Sequence, residues 1–200
     1  MDVVERYFPN WHELTIHETS PADRGASARL REGCELYMGT QFWSDAPTGS
    51  FVDGVRCENI EALTFSDNSI DLHISQDVLE HIFDPYSAFR EIARTLRPGG
   101  AHICTVPMVQ KEKPSKRRAR IGLDGIVQNL VAAQYHGNPI SSQGALVTID
   151  WGYDICWHIL NASHLATHVV QIDDLSKGIR AEYIEVLVCF KSSGEMNERV

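Results

Sequence analysis

The imidazole of His81 is the side chain of this sequence best suited to acid–base chemistry. His81 closes the run Asp77-Val-Leu-Glu-His81. A histidine titrates near neutrality, so it can act as a general base toward a substrate that must lose a proton. The alternative is a structural role in which the Glu-His pair only caps a turn. Asp77, at the start of this run, can serve structurally as the N-cap of the turn over residues 78–81.

A basic segment follows later in the chain. Residues 111–120 hold six lysines and arginines among ten positions, in a chain whose formal net charge is −9. Such a segment can attract a phosphate or carboxylate substrate, and Arg117 and Arg118 are the candidate contacts. The alternative interpretation is a solvated, mobile loop.

Two short segments, 135–139 and 150–154, combine aromatic, turn-forming and ionisable residues. Their histidine and two aspartates are separated by 14 and 4 positions. That spacing matches no standard pattern of metal ligands, so no metal site is expected. We expect both segments to wall a substrate pocket, with His136 and Trp151 as the contacting side chains.

A βαβ crossover is the element that must position the first of these residues. Residues 72–74 and 102–106 are short apolar runs of the kind found in buried parallel strands. Between them apolar residues recur at helical spacing, with Asp84 at the N-cap and Pro85 at the first helical position. The sequence Pro98-Gly-Gly100 then ends the helix.

The remaining elements continue an alternating α/β order. Short strands are predicted at 14–18 and 55–58, and longer ones at 167–172 and 183–190. This order favours a mostly parallel sheet with helices on both faces. Since the last two strands follow each other directly, the C-terminal edge of the sheet should carry a reversed strand.

The residues of the crossover resemble the class I S-adenosylmethionine-dependent methyltransferases of the type 11 kind. The shared features are Asp77-Val-Leu-Glu-His81, the helix with Phe89-Arg-Glu-Ile-Ala-Arg94, and Leu96-Arg-Pro-Gly-Gly100. The stretch 61–71 is similar to that family's Leu-Pro-Phe-x-Asp-x-Ser-Phe-Asp segment, with Thr64 in place of the proline. The resemblance covers residues 55–107. It implies a Rossmann-like α/β sheet, S-adenosyl-L-methionine as cofactor, and methyl transfer to a small-molecule or sugar-like acceptor.

The resemblance also implies which residues meet the cofactor. Glu18, at the end of a strand, takes the place of a ribose-binding acid, because a carboxylate can accept both ribose hydroxyls; the alternative is a solvated strand-end glutamate. Asn59 takes the place of the residue that meets the adenine amino group, with Ile60 on the adenine face, unless Asn59 only closes an Asx turn. A third group follows a strand near the expected methionine part and the transferred methyl: Ser75, Gln76 and Asp77.

One motif of the family is absent from the sequence. These enzymes open with a strand and a Gly-x-Gly-x-Gly loop, where the backbone approaches the cofactor closely. A nicotinamide-binding Rossmann domain, the rival architecture, would also need a glycine-rich turn. Counting back from the resembling window makes residues 14–18 the second strand and predicts that the first is missing. Three explanations stay open: a piece of a longer protein, a degenerate module that binds or scaffolds without catalysis, or a rearranged N-terminus.

Length and composition restrict the class of protein. Two hundred residues, 43% hydrophobic and 22% charged, are typical of one globular domain, with 108–150 as an inserted acceptor-side or lid segment and 192–200 as a polar tail. The negative net charge argues against a nucleic-acid binder. No apolar run approaches the ~20 residues of a membrane span, and no signal-peptide core is present. Five scattered cysteines without a Cys-x-x-Cys pair favour a reduced cytoplasm over disulfides or zinc.

Overall fold

The computed structural model describes residues 1–138 and 141–194, without the side chain of Ser141. Parts of the predicted tail (192–200) and of segment 135–139 therefore lie outside the described residues. Within them the α-helices are α1 (Asp2–Tyr7), α2 (Gly25–Gly33), α3 (Pro85–Thr95) and α4 (Ile155–Ser163). No helix in these ranges is long and apolar enough to cross a membrane.

The strands form one large sheet and three small ones. In chain order they are β1 (Ile16–Thr19), β2 (Tyr37–Gln41), β3 (Phe51–Val52), β4 (Val55–Cys57), β5 (Ile70–Gln76), β6 (Leu96–Thr105), β7 (Lys116–Arg117), β8 (Ala119–Ile121), β9 (Val127–Asn129), β10 (Tyr135–Asn138), β11 (Ser141–Leu146), β12 (Ile149–Asp150), β13 (Ala166–Gln171) and β14 (Glu185–Phe190). The large sheet has the order β13-β14-β6-β5-β1-β2-β4-β3.

The predicted fold class is confirmed. β1, β2, β4, β5 and β6 pair in parallel. β14 runs antiparallel to both β6 and β13, which is the reversed strand expected in the C-terminal hairpin. The result is a Rossmann-like sheet with helices on both faces.

The prediction that the first strand is missing is wrong. Residues Ile16–Thr19 form β1 in the middle of the sheet, paired on one side with β2 and on the other with β5. Residues 14–18 therefore correspond to the first strand of the family's sheet and not to its second. The sequence misled because β1 has only four residues and no glycine-rich loop follows it.

The crossover forms as its sequence predicts up to the end of the helix. Asp84 caps α3, since its Oδ1 accepts a hydrogen bond from the Ser87 amide at 3.0 Å. The run Pro98-Gly-Gly100 lies inside β6 rather than in a separate turn. Gly100 is needed there, because a Cβ at this position would lie 2.6 Å from the backbone oxygen of Asp71.

Two hydrophobic clusters cover the two faces of the sheet. On one face α3 and α4 bury Phe89, Ile92, Trp151 and Ile159. On the other face α1 and α2 bury a cluster against the inner strands: Val3, Val4, Trp11, Ile16, Leu30, Leu72 and Ile74. These layers fix the strands and leave their carboxyl ends to carry polar groups.

Segment 108–150 is built mainly of small antiparallel pairs. β7 pairs with β12, β8 with β9, and β10 with β11. Hydrogen bonds from Thr148 N and Oγ1 to the Glu80 carbonyl tie this segment to the turn after β5. That it covers an acceptor remains a prediction.

Candidate functional site

The direction of chain winding reverses between β1 and β5. From β1 the chain passes outward through β2 and β4, whereas β5 and β6 lie on the other side of β1. In open α/β sheets, ligands bind in the crevice outside the carboxyl ends of the strands at such a switch point. Thr19 of β1 lies beside Ser75 of β5 at this position, so the candidate site is centred there.

Glu18 lies at the base of this crevice and is fully buried. Its Oε1 accepts hydrogen bonds from Ser27 Oγ at 2.6 Å and from Gln76 Nε2 at 2.8 Å, and its Oε2 accepts one from Tyr37 Oη at 2.8 Å. The carboxylate therefore ties β1 to β2, α2 and β5. The alternative of a solvated glutamate is wrong, and the carboxylate is at the centre of the sheet rather than on its second strand. Contact with a ribose remains a prediction.

The loop from β1 to α2 achieves its tight turn without a glycine-rich run. Ser20 and Gly25 take the left-handed backbone conformation, with φ of 53° and 64°. Residues 22–25 are exposed at the mouth of the crevice. Pro21 packs on β2 above Gly39, where an added Cβ would lie 2.9 Å from Pro21 Cγ. The ring of Pro21 thus fills space beside β2 that a glycine-rich loop would leave open.

The remaining predicted cofactor contacts already have protein partners. Asn59 Oδ1 accepts a hydrogen bond from the Glu61 amide at 2.9 Å, which is the Asx turn offered as its alternative. Ile60 packs in the cluster beneath α3 and is 6% exposed, so its packing on an adenine would require it to move. Ser75 is fully buried and lies 2.8 Å from His102 Nε2. Their contact with a cofactor stays a prediction.

A cleft of about 380 Å³ opens beside Asp77, at the carboxyl ends of β5 and β6. Asp77 has a left-handed backbone (φ 52°) and accepts a hydrogen bond from Thr105 Oγ1 at 3.0 Å. Across the cleft, Glu185 accepts a hydrogen bond from Tyr153 Oη at 2.7 Å. The other lining side chains are mostly apolar: Val106, Pro107, Ile172, Ile179, Ala181, Tyr183, Ile184 and Val186. The size is in the range of small-molecule sites.

The structure brings together two residues that the sequence analysis treated separately. The rings of His81 and His136 lie edge to face, with their centroids 5.2 Å apart. Burial lowers the pKa of His81, so its neutral form is favoured at neutral pH. Burial also raises the pKa of neighbouring Glu80 to about 8.

Three other candidates are held in the protein interior or by structural contacts. Trp151 is buried against Phe89 and donates from Nε1 to the Leu79 carbonyl at 3.1 Å. The prediction that Trp151 walls a pocket is therefore wrong, because its ring fills the core. Arg117 donates to the Phe83 carbonyl at 3.0 Å, and Arg118 pairs with Asp150 at 2.8 Å.

These two arginines lie in β7 and beside β8, so the interpretation of a mobile loop does not describe them. Burial lowers the pKa of Arg117. Binding of a substrate by Arg117, Arg118 or His136 stays a prediction.

Sequence reasoning missed the partners of the acidic residues. Ser27 and Tyr37 hold Glu18, yet neither belongs to a recognisable motif. Tyr37 could have been found from register, because it starts the strand next to β1. Glu80 was present in the resembling motif, but only as part of a Glu-His pair that could cap a turn. Its neighbour His136 lies far along the chain and was not connected with it.

Comparisons with known proteins agree with this architecture. Residues 37–104 match a family model described as a methyltransferase domain. The chain is 32% identical over 76 residues to the ubiquinone biosynthesis O-methyltransferase of Parvibaculum lavamentivorans. That match covers 38% of this chain and 30% of the relative, so the chain spans less than a third of the protein it matches.

Solved structures extend the similarity over nearly the whole chain. An S-adenosylmethionine-dependent methyltransferase from Mesorhizobium loti matches with a TM-score of 0.58 and 16% identity, covering 94% of each chain. The 1,6-didemethyltoxoflavin N1-methyltransferase of Burkholderia thailandensis, solved with 1,6-didemethyltoxoflavin and S-adenosylhomocysteine, matches with a TM-score of 0.56 and 14% identity, over 96% of this chain and 76% of the other. At these identities the likeness establishes the fold. The family-model match over residues 37–104 and the sequence motifs agree with that fold, so the chain resembles the class I S-adenosylmethionine-dependent methyltransferases.

Proposed function

We propose that this protein binds S-adenosyl-L-methionine at the switch point between β1 and β5 and transfers its methyl group to a small molecule. The observation that carries this proposal is the crevice itself, where the ends of β1, β2, β4 and β5 converge outside a parallel sheet. Bound there, the cofactor supplies an electrophilic methyl group. The residues of this chain bind and orient the two reactants.

The residues around the crevice fit such a cofactor despite the missing glycines. The left-handed Ser20 and Gly25 give the exposed β1–α2 loop a tight path beside the crevice. Gln41 ends β2, about 20 residues beyond β1, where dinucleotide folds place the ribose-binding residue. We assign the ribose hydroxyls to Gln41 in place of Glu18, because the Glu18 oxygens already accept three hydrogen bonds. We assign the adenine to Asn59 and the ammonium of the methionine part to Asp77. Glu18 supports them from below as a positioning residue.

The cleft beside Asp77 is the best place for the acceptor. Its walls are apolar except for a few polar groups, among them the carboxylates of Asp77 and Glu185. Carboxylates accept hydrogen bonds and attract cations, so this cleft suits a molecule that presents hydroxyl or amino groups on an apolar or ring-shaped body. A sugar-like acceptor meets that description, as does a small heterocyclic amine.

Positioning is the main chemical task of this site. Methyl transfer to a good nucleophile requires in-line alignment and exclusion of water rather than a strong base. If the acceptor must lose a proton, His81 is the candidate base, because burial keeps its imidazole neutral.

The alternative is a degenerate module that keeps the fold without binding the cofactor. The packing of Pro21 over Gly39 favours it, because this contact fills part of the space beside β1 and β2. Calorimetric titration of S-adenosylhomocysteine into the protein distinguishes the two. We expect a dissociation constant for S-adenosylhomocysteine in about the micromolar range. No heat and no thermal shift at about millimolar ligand would support the scaffold instead.

A variant of Glu18 tests how the crevice is held. Glu18→Gln replaces an acceptor oxygen by an amide NH₂ group, which cannot accept the hydrogen bonds of Ser27 and Tyr37 at once. We expect S-adenosylhomocysteine binding to weaken by about tenfold or more, with a loss of roughly 1.5–3 kcal/mol of unfolding free energy. Glu32→Gln, which alters an exposed carboxylate on α2, should change neither. Unaltered binding and stability in Glu18→Gln would refute this role.

A further inference from the structure

The carboxylate of Glu80 is buried without a hydrogen-bond partner. Its side chain is 2% exposed, and within the described residues neither Oε1 nor Oε2 accepts a hydrogen bond. Removing a carboxylate from water without a partner is costly, so buried acids are normally hydrogen-bonded, paired or bound to a metal. Glu80 is therefore a candidate ligand for a bound ion.

Two imidazoles face this carboxylate at a distance that hydrogen bonding does not explain. Glu80 Oε1 lies 3.6 Å from His81 Nε2 and 3.5 Å from His136 Nδ1. Both separations are longer than a normal N–H···O hydrogen bond. The three atoms nonetheless converge, since all lie within 4.8 Å of one another.

The hydrogen bond of the His81 ring leaves the lone pair of its other nitrogen pointing inward. His81 Nδ1 lies 2.9 Å from the Leu146 carbonyl oxygen. A carbonyl can only accept, so Nδ1 carries the proton and Nε2 keeps its lone pair toward Glu80. A ring N–H held by a backbone carbonyl is the usual support of a metal-binding histidine. On His136 the outward Nε2 lies 3.5 Å from the side-chain amide nitrogen of Gln134, which is longer than a normal hydrogen bond, so this contact does not fix the proton on either ring nitrogen of His136.

We propose that Glu80, His81 and His136 form a binding site for a divalent transition-metal ion, of which Zn²⁺ is the first choice. Ligands at about 2.0–2.1 Å from a tetrahedral ion stand about 3.3 Å apart, close to the 3.5 and 3.6 Å measured here. Two imidazoles and one carboxylate suit zinc and iron better than calcium or magnesium. Three protein ligands leave at least one position for water or a substrate oxygen.

The supporting structure holds the site in place before any ion binds. The Trp151 indole donates to the Leu79 carbonyl, and Thr148 donates to the Glu80 carbonyl. These bonds fix the turn that carries Glu80 and His81, whereas His136 comes from β10 of the inserted segment. The ion would link that hairpin to the end of β5. Coordination uses the Nε2 lone pair that a base would need, so here His81 acts as a ligand.

Titration of the full-length protein, without an affinity tag, with Co²⁺ and Zn²⁺ tests the proposal. We expect one Co²⁺ per chain, seen as visible absorption bands of a four- or five-coordinate ion, and its displacement by Zn²⁺. We also expect Zn²⁺ to raise the thermal unfolding temperature, because an ion that binds the folded state stabilises it. If neither Co²⁺ nor Zn²⁺ binds at about 100 µM, the proposal is overturned.

Variants identify the ligands. Glu80→Gln and His136→Ala should each weaken Co²⁺ binding by about tenfold or more. His158→Gln is the matched control, because His158 lies 3.6 Å from the Asp154 carboxylate in an otherwise similar pair and has no part in the proposed site; it should bind Co²⁺ like the wild type. Should Glu80→Gln not fold, His136→Ala decides alone. Wild-type affinity in His136→Ala would refute the site, whatever the result with S-adenosylhomocysteine.

Discussion

At the scale of single residues, buried polar groups on the central strands have proton positions that their partners determine. Thr95 Oγ1 donates to the Glu91 carbonyl at 2.8 Å, so it can only accept from His73 Nε2. Burial favours the neutral form of both rings, so His73 Nδ1 accepts from His17 Nδ1, 2.8 Å away. His17 Nε2 in turn accepts from Thr40 Oγ1. These contacts accommodate two neutral rings without an unsatisfied ring nitrogen.

The buried neutral histidines predict that the folded protein loses stability in acid. Burial lowers the pKa of His17 to about 3 and that of His73 well below its ordinary value of 6.5. Below pH 6.5 the unfolded chain takes up protons that the folded protein does not, so stability is complete above pH 6.5 and declines as the pH falls toward 3. Replacing His17 by Gln should reduce the slope of unfolding free energy against pH by about 1.4 kcal/mol per pH unit.

Urea unfolding at several pH values between about 7 and 5 measures that slope. In this range most carboxylates outside special environments change their charge little. His12→Gln, which alters an exposed histidine, should keep the wild-type slope. Equal slopes for His17→Gln and the wild type would contradict the neutral pair.

At the scale of elements, α3 is the part whose sequence signals agree best with its structure, most clearly at its N-terminal end. The helix starts at Pro85, directly after its cap Asp84, and ends at Thr95, from which the chain continues straight into β6. Its buried face contains Ala88, Phe89 and Ile92. Cap, amphipathic pattern and tertiary packing all support the same element, so this crossover was predictable.

The cap of α3 gives a prediction at this scale. Asp84 accepts hydrogen bonds from the Ser87 amide and from Ser87 Oγ. Asp84→Ala removes both and should lower the free energy of unfolding by about 1 kcal/mol. Asp84→Asn keeps an acceptor oxygen and should cost clearly less. Denaturant unfolding of the two variants checks the order, and equal losses would argue against capping as the cause.

At the scale of the whole molecule, the last strand is an interior strand of the sheet and contributes to the core. β14 enters between β6 and β13, so both of its sides are hydrogen-bonded. Its side chains at Leu187, Val188 and Cys189 are fully buried. The sheet is therefore complete only when this strand, near the end of the described chain, has been added.

Val188 and Val169 form a matched pair for testing this. Val188→Ala creates a cavity in the core and should cost roughly 2 kcal/mol of unfolding free energy. Val169, on the neighbouring strand β13, is 41% exposed, and its replacement by Ala should cost less than about 0.5 kcal/mol. Thermal or denaturant unfolding measures both. Similar losses would mean that β14 contributes no more to the core than the edge strand does.

The sequence by itself determined the crossover from β5 to β6, the family resemblance and the mostly parallel sheet. These follow from local signals: strand-length apolar runs, a helix cap, and a proline at the first helical position. It failed at β1, because a four-residue strand followed by Ser20-Pro-Ala-Asp-Arg24 carries little local information. Only its pairing with both neighbours identifies that strand as the centre of the sheet.

Only the tertiary structure decided the environment of the candidate residues. It buried Trp151, which the sequence had placed on a pocket wall, and Glu18, which the family resemblance had placed at the ribose. It also brought His136 to Glu80 and His81, although the inserted segment separates them along the chain. Burial and contact depend on residues distant in sequence, so spacing rules that assume ligands on one local element cannot detect them.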